Sequence, residues 1–500
     1  MSADAFSKKG VFFAVISTDL KIIYEEQSGH WPPDSKAFSL RLLSVIEELE
    51  QRVKHLEDRL AINSGNSSLP SSKDSLQSPK KRSMRTKSTK KPGGQQGHKG
   101  QGGKLKDNPD ETHKFEVTYC PDCNINLANQ PPDLLIRKQE EDLPPIRTVI
   151  TEYQTEVKTC PCCAQQWQAV GCPEHIRYEF QYGPRIKALS VYLSAQQFLP
   201  AKRIKDTLAI FGVEISTGTL DNFRVSAAHR LSDFSETMRL SIIESLAGFF
   251  DETGIKVKAV GHWIHVAATS LFSLFMLHAK RGRIAHDQMG VLAHFRGVLH
   301  RDDYHSYRDV YDQAKHSLCC AHLIRDLKYA IERDEQKEWG QPMIDLLLRA
   351  NKQTRNSATG VLDVRWRGRY LKEYNGLVAL GLSKNPLKTK ENGEVRGKTA
   401  QTKTCNLLLR FQNKAEDILR FMSDPNAEFT NNQAERDLRM NKVRQKISGG
   451  FRSKKAGEEF MTIRSFVATA VKRGADPVEE LVKVFTPGNQ EYMWLARHPE

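Results

Sequence analysis

Long hydrophobic runs are missing from this chain of 500 residues. No stretch approaches the ~18–20 apolar residues that cross a bilayer, so no membrane partner is expected. The apolar run Val11–Ile16 is too short for a secretory leader, and no small-residue cleavage site follows it. Cysteine is scarce as well: nine residues, several of them clustered, exclude a disulfide scaffold and point to metal. Acid is absent altogether from Ser75 to Lys106, a segment that carries ten of the cations behind the net charge of +15. With 39% hydrophobic and 27% charged residues, the remainder reads as a core with extended polar parts. The length suggests roughly three domains. A cytoplasmic protein with a polyanionic partner is the first expectation.

The acid-free segment holds Lys80, Lys81, Arg82, Arg85, Lys87, Lys90, Lys91, Lys99, Lys104 and Lys106 among serine, glycine and glutamine. Such a composition cannot bury enough apolar surface to fold alone. A plain linker needs no charge of one sign, so the segment reads as an arm that neutralises phosphates and releases counterions. Before it, Leu42, Ile46, Leu49, Val53, Leu56 and Leu60 recur at spacings of four and three. They form a short coiled-coil seam, or the buried stripe of a helix packed on its own chain. The run Asn63–Pro70 should end that helix, and residues 1–36 carry no clear signal.

Two Cys-x-x-Cys knuckles follow, Cys120–Cys123 and Cys160–Cys163. Four thiolates at about 2.3 Å are the ligands of structural Zn²⁺, which leaves no open position for catalysis. Cys162 and Cys172 are alternative ligands, and the gap between the knuckles has room for a hairpin over Ile146–Val157. Residues 184–231 read as helices. Around Gly212, a glycine turn and Ser/Thr caps resemble a helix-turn-helix whose second helix meets DNA through Asn222 and Arg224, or a plain helical hairpin.

From Gly248 the pattern changes. Gly248–Glu252 is an apolar run ending in acid, followed by strand patterns at Ile255–Lys258, His262–Ala268 and Leu271–His278. A helix over Ala285–His294 leads to the strand Gly297–His300, which runs into Asp302 and Asp303; Ser317–His322 then opens a helix near Leu323. This element order resembles an RNase H-like α/β fold of the retroviral-integrase type. There the first and fourth strands each carry a carboxylate at the same sheet end, the places of Asp251 and Asp302. A third carboxylate is expected from a later helix. Asn431–Arg439 reads as a capped helix start, with Asn432, Glu435 and Arg439 on one face. Three converging carboxylates need cations, and hard oxygen ligands select two Mg²⁺ or Mn²⁺ about 4 Å apart for in-line phosphoryl transfer.

Several stretches then resemble one family, the IS66 insertion-sequence transposases. The N-terminal signature is matched by Asn63-Ser64-Gly65-Asn66-Ser67-Ser68 through Asp74, and by Lys91-Pro92-Gly93-Gly94-Gln95-Gln96-Gly97-His98. The Cys-Pro-x-Cys pair is similar to its zinc-binding domain. Asp251-Glu252-Thr253-Gly254, Asp302–Tyr307, Cys320-Ala321-His322 and Asn431–Arg436 resemble its catalytic landmarks, and Lys446–Ser453 its tail. The resemblance runs from about residue 38 to 485. It implies a DDE transposase that hydrolyses the donor strand at insertion-sequence ends and joins the freed 3′-hydroxyl to target DNA, with Asp251, Asp302 and Glu435 binding the metal. Asp303 stands where many relatives have glycine; the strand-end position and Tyr304 favour Asp302. Glu252 should point to the opposite face from Asp251. His322 reads as a residue that orients a metal-bound water or, as the favoured reading, simply caps and packs. Arg436, Arg439, Arg444 and Lys446 follow Glu435 as candidate phosphate contacts.

The expected organisation is multidomain α/β: an unassigned stretch (1–36), a short coiled coil (37–62), a basic linker (63–110), a zinc-binding module (111–175) and a helix-turn-helix-like region (176–240). The catalytic core follows (241–330), split by a helical insertion (331–429) that contains helices at Trp339–Ala350 and Leu407–Phe421. The core's last part carries Glu435 (430–475), and a tail ends the chain (476–500). The partners implied are double-stranded DNA (inverted-repeat ends and target), a second copy of the chain in the DNA complex, and small accessory transposition proteins, in a bacterial, nucleoid-associated setting. A non-enzymatic zinc-dependent DNA-binding relative and an RNase H-like nuclease without strand transfer are the competing readings.

Overall fold

A computed structural model describes residues 20–62, 66, 105–143, 145–307, 311–388 and 399–488. Lys80, Lys81, Arg82, Arg85, Lys90 and Lys91 lie outside the described residues. The chain divides into two compact units. One holds the helix α1 (Pro33–Ala61) and the residues from Pro173 onward except 206–214; the other holds 105–172 with 206–214. Among the described residues, no helix is long and apolar enough to cross a membrane.

The smaller unit contains both knuckles. In each, the first cysteine's N–H donates to the residue five positions on (Cys120 to the Ile125 carbonyl, 2.9 Å; Cys160 to the Gln165 carbonyl, 2.8 Å). A left-handed residue, Asn124 or Ala164, closes each turn. The expected hairpin over Ile146–Val157 does not form. The strands that pair are β1 (Val157–Thr159) and β2 (Gln166–Gln168), which flank the second knuckle itself. The tight knuckle turn brings its own two flanks together, which costs less chain entropy than closing a longer loop.

Then come α2 (Pro184–Ala195), α3 (Ala201–Ile210), whose residues from Asp206 on belong to the smaller unit, and, in the larger unit, α4 (Thr217–Arg230) and α5 (Ser232–Ile243). The turn before α4 uses Gly212 at φ +80°, and Ser216 Oγ caps α4 by accepting the Thr219 N–H (3.0 Å). Then β3 (Ala247–Val257), β4 (Val260–Ala268) and β5 (Ser273–His278) form an antiparallel meander. The two strand patterns at Gly248–Glu252 and Ile255–Lys258 are therefore one strand: Thr253 and Gly254 continue the ladder opposite Ile264 and Trp263. The helix α6 (Arg283–Met289) is shorter than expected, because Gly290 ends it at φ +68°. β6 (Val298–Arg301) and β7 (Lys315–Leu318) add in parallel, giving a five-stranded mixed sheet in the order β5-β4-β3-β6-β7.

After β7 come α7 (Cys320–Arg333), α8 (Lys337–Asn356), α9 (Val364–Lys384), α10 (Lys403–Asn413) and α11 (Ala415–Leu419). These helices have a core of their own, in which Trp339, Tyr374, Leu408 and Phe411 are buried. The single helix expected over Leu407–Phe421 breaks between α10 and α11 at Lys414. The chain then returns to the sheet through α12 (Asn432–Ser448) and α13 (Lys454–Lys472), and ends its described part with α14 (Pro477–Phe485).

Two contacts close the sheet's exposed backbone. Along the edge strand β5, the outward N–H groups of Ser273 and Phe275 donate to Thr469 Oγ1 (3.1 Å) and Ser465 Oγ (2.9 Å) of α13. β3 outruns β6, and Phe451 pairs with that surplus through the Lys256 carbonyl and the Lys258 N–H (both 2.9 Å). A Cβ on Gly450 would stand 2.6 Å from the Lys256 carbonyl oxygen. Gly450→Ala is therefore expected to cost about 1–3 kcal/mol in urea unfolding. Gly368→Ala, in the interior of α9 with nothing near its Cβ position, is expected to gain roughly 0.5–1 kcal/mol.

Candidate active site

The parallel register of β3 and β6 places Phe249 opposite His300. Two residues further on, the same offset sets Asp251, midway along β3, beside Asp302, which follows the last residue of β6. Glu435, in the first turn of α12, approaches the same end because its helix start is pinned there. Asn431 is not the side-chain cap that the sequence suggests. Its Nδ2 donates to the Phe250 carbonyl (2.7 Å), one residue before Asp251, and its N–H donates to Cys319 Sγ (3.2 Å) at the mouth of α7. A short amide thus ties three elements together at one point.

The electrostatics follow from this convergence. Burial pushes the Asp251 carboxyl well above its ordinary range, and the charges of Glu252, Asp302 and, more weakly, Glu435 push it further. One hydrogen bond opposes them, the Glu252 N–H donated to Asp251 Oδ1 (2.8 Å). Asp302 accepts the Tyr304 N–H (2.9 Å), and Arg281 Nη2 stands 3.7 Å from its other oxygen. Arg281 lies over the Tyr304 ring, with its guanidinium carbon 3.8 Å from the centroid. Asp303 turns away to Arg410 (2.7 Å) and Arg301 (3.7 Å), so only Asp302 is left beside Asp251.

Glu252 alternates away from Asp251, as a strand requires, and becomes buried. Arg281 Nε and the Tyr307 hydroxyl donate to its two oxygens (2.7 and 2.8 Å). Burial and the Asp302 charge still hold its carboxyl up at about 7. On the far side of the site, His322 Nε2 and Arg325 Nη2 are each 3.8 Å from Glu435 Oε1. That oxygen is buried with no hydrogen-bond partner. Burial and the charge of Arg325 lower His322 to about 4, so it is neutral at pH 7. The sequence reads His322 as packing, whereas the fold sets it against a candidate carboxylate. Arg281 carried no sequence signal of its own, and Tyr307, though it closes the Asp302–Tyr307 landmark, has nothing in its local pattern that announces a partner on β3.

The other predicted positions are distributed less uniformly. Asn222 is exposed on α4, but Arg224 two residues on pairs with Glu459 of α13 and with Asp221 (3.5 Å). Arg436, Arg439 and Lys446 are exposed on α12. Arg444 instead stacks on Phe451 (3.7 Å) and Phe460 (4.8 Å), and burial lowers it to about 10. In the smaller unit, the N–H groups of Cys123 and Asp122 favour the thiolate of Cys120, and those of Cys163 and Cys162 favour that of Cys160. The four knuckle sulfurs are not among the ligand groups drawn within 4.8 Å of one another in the described residues.

A mixed five-stranded sheet with carboxylates clustered where two adjacent parallel strands part defines a class: α/β proteins with an acid-lined site. The comparisons name the family. A model described as Transposase IS66 family matches residues 179–459, more than half of the chain, and the chain belongs to that family. A second model, a family of unknown function (DUF6444), matches residues 34–104. No curated protein matches the chain.

The raised carboxyls predict a pH dependence with a definite sign. The unfolded chain releases these protons near pH 4.5, whereas the folded chain holds that of Glu252 to about pH 7. Glu252 therefore binds more proton in the folded state, and its own contribution to stability falls as pH rises through this window, against the opposite slope of buried histidines such as His322. In chelator, urea melts of the unsubstituted chain and of Glu252→Gln from pH 4.5 to 8 are expected to diverge, the unsubstituted chain losing on the order of 1–3 kcal/mol relative to the variant as the Glu252 carboxyl ionises. Parallel profiles for the two would contradict the electrostatics described here.

Proposed function

We propose that this IS66-family chain cuts and joins DNA as a DDE transposase on an RNase H-like core, with Asp251, Asp302 and Glu435 holding two Mg²⁺ or Mn²⁺. The observation that carries this reading is the enforced crowding of acid around Asp251, which makes its charged form costly unless cations are present. The donor set fits hard divalent ions: all three groups are carboxylates, and Glu435 Oε1 has an unused buried lone pair. When bound, such a pair activates a water or 3′-hydroxyl and stabilises the leaving oxygen.

The chain's own residues have separable tasks. Asn431 sets the depth of Glu435 against β3. Arg281 and the Tyr304 N–H orient the Asp302 carboxylate. Neutral His322 presents a ring nitrogen beside Glu435 without adding positive charge that would compete with metal. Arg436, Arg439 and Lys446 on the exposed face of α12 suit contact with phosphates. Arg224 and Arg444 are left out of this role, because both are engaged inside the protein. Asn222 stays in it as an exposed residue of α4. Lys80, Lys81, Arg82, Arg85, Lys90 and Lys91 supply a sequence-independent grip on double-stranded DNA.

Cys120, Cys123, Cys160 and Cys163 have the donor chemistry of structural Zn²⁺, which would have to draw the two knuckles together: each knuckle turns its backbone N–H groups toward the first sulfur and favours the thiolate there. The apolar seam of α1 suits pairing with a second copy, since Leu42, Leu49, Val53, Leu56 and Leu60 are all exposed in the single chain.

Incubation of the purified protein with a labelled inverted-repeat end is expected to give a nick in Mg²⁺ or Mn²⁺ and none in EDTA. Asp251→Asn and Glu435→Gln should bind the end normally, yet lose activity beyond the roughly 10–100-fold typical of an outer-shell metal partner. Cleavage that survives either substitution would remove the proposal. Binding should also weaken with salt. Alanine at Lys80, Lys81, Arg82 and Arg85 should flatten the log–log slope by roughly 0.9 for each phosphate that is no longer neutralised.

A further inference from the structure

A second constellation lies beneath the acidic site, on the face of β3 that Asp251 does not occupy. Glu252 and His265 stand directly opposite one another across the antiparallel β3–β4 pair, so their side chains share a face. His286, on α6, comes down onto the same patch. All three are more than nine-tenths buried, at 7%, 2% and 3% exposure. One carboxylate oxygen and one nitrogen from each ring lie within 4.8 Å of one another.

The hydrogen bonds of this group are incomplete in a specific way. His265 Nε2 lies 3.1 Å from the Lys280 carbonyl. A carbonyl only accepts, so Nε2 carries the proton and Nδ1 is left as a bare lone pair. That Nδ1 is buried without a partner, and so are both nitrogens of His286. An unmade hydrogen bond in the interior costs about 1–3 kcal/mol, and three of them within one cluster are not offset by packing alone. His286 does stack on Tyr307, at 4.5 Å between centroids and 27° between planes, but that contact satisfies neither nitrogen.

We propose that Glu252, His265 and His286 bind a divalent transition ion of the zinc class, at a site distinct from the Asp251–Asp302–Glu435 centre. Two imidazole nitrogens and one carboxylate oxygen are a zinc donor set, with room for a water as fourth ligand. They are a poor set for Mg²⁺, which prefers oxygen throughout. The surroundings resemble the outer shell of such sites. One histidine donates its remote N–H to a backbone carbonyl, and Arg281 and Tyr307 hold the carboxylate from behind. The ion would clamp α6 to β3 and β4. It would also fix Glu252, and through it the Arg281 that reaches to Asp302. Its role is therefore bracing, and it does not depend on the chain cutting DNA.

The test uses the full chain, loaded with Zn²⁺, desalted and measured for metal. His286→Phe keeps a ring against Tyr307 and removes both nitrogens; His265→Gln removes the other ring. Each variant, confirmed folded by circular dichroism, is expected to hold one equivalent of zinc fewer than the unsubstituted chain. Asp251→Asn should hold the same amount as the unsubstituted chain, and millimolar Mg²⁺ should displace none of the difference. Equal zinc in folded His286→Phe and the unsubstituted chain would overturn the proposal, as would displacement of that equivalent by Mg²⁺. Should both histidine variants fail to fold, Co²⁺ is added to the chain with Cys120, Cys123, Cys160 and Cys163 changed to serine. A visible d–d band without thiolate charge transfer, absent when Glu252→Gln is also made, supports the site; no band overturns it.

Discussion

Carboxylates that face one another across adjacent parallel strands repel, and burial deepens the repulsion by removing the water that would screen it. Asp251 and Asp302 are locked into this position by backbone pairing, since β3 and β6 cannot separate without opening the middle of the sheet. Glu435 is brought to the same end by Asn431, whose amide holds the start of α12 against β3. The folded chain therefore stores unfavourable electrostatic energy at one end of its sheet, and much of the surrounding structure serves to contain it. Arg281 spans Glu252 and Asp302, flanked by the rings of Trp263 and Tyr304. Tyr307 donates to Glu252 from the other side.

Containment extends into the helices inserted after β7. Arg301, the last residue of β6, is almost completely buried and would be an unpaired charge without Asp303 and Asp417. Asp417 belongs to α11 and Arg410, the other partner of Asp303, to α10. Both helices rest on the core built around Trp339, Tyr374 and Phe411. The insertion thus holds the loop that carries Asp302, which gives it a structural part in the site irrespective of any contact with DNA. A loop bearing a carboxylate proposed to bind metal needs this support, because displacement by even an ångström would spoil the ligand geometry.

The cations after Glu435 separate into two groups that the sequence presents as one run. Lys442 and Arg444 turn inward, the first to the Gly254 carbonyl and the second onto two phenylalanines. Arg436, Arg439 and Lys446 remain outside. Helical phase separates Arg444 from Arg439 and Lys446, whereas Lys442, three and four residues from those two, is set apart by its own bond to the Gly254 carbonyl. A net positive charge counted along the chain therefore overstates what is available to a polyanion.

Periodicity, punctuation and motif spacing were enough to find the strand meander, the helix expected near Leu323 that opens at Cys320, and the turns of the two knuckles, because each depends on residues close in sequence. The family was legible for the same reason: its landmarks are short and ordered. Other features were out of reach of local pattern. The merger of two strand segments into β3 depends on β4 pairing across Thr253 and Gly254, and the β1–β2 hairpin forms where the knuckle turn brings its own two flanks together. His322 looked like packing until α7 was laid beside α12. Glu252 looked like a bystander until β4 and α6 brought two histidines to it. Side-chain chemistry at a distance is set by which strands become neighbours and which helices cross them. Only the folded chain resolves that, since the energies of pairing and burial belong to the contacts and not to any segment alone.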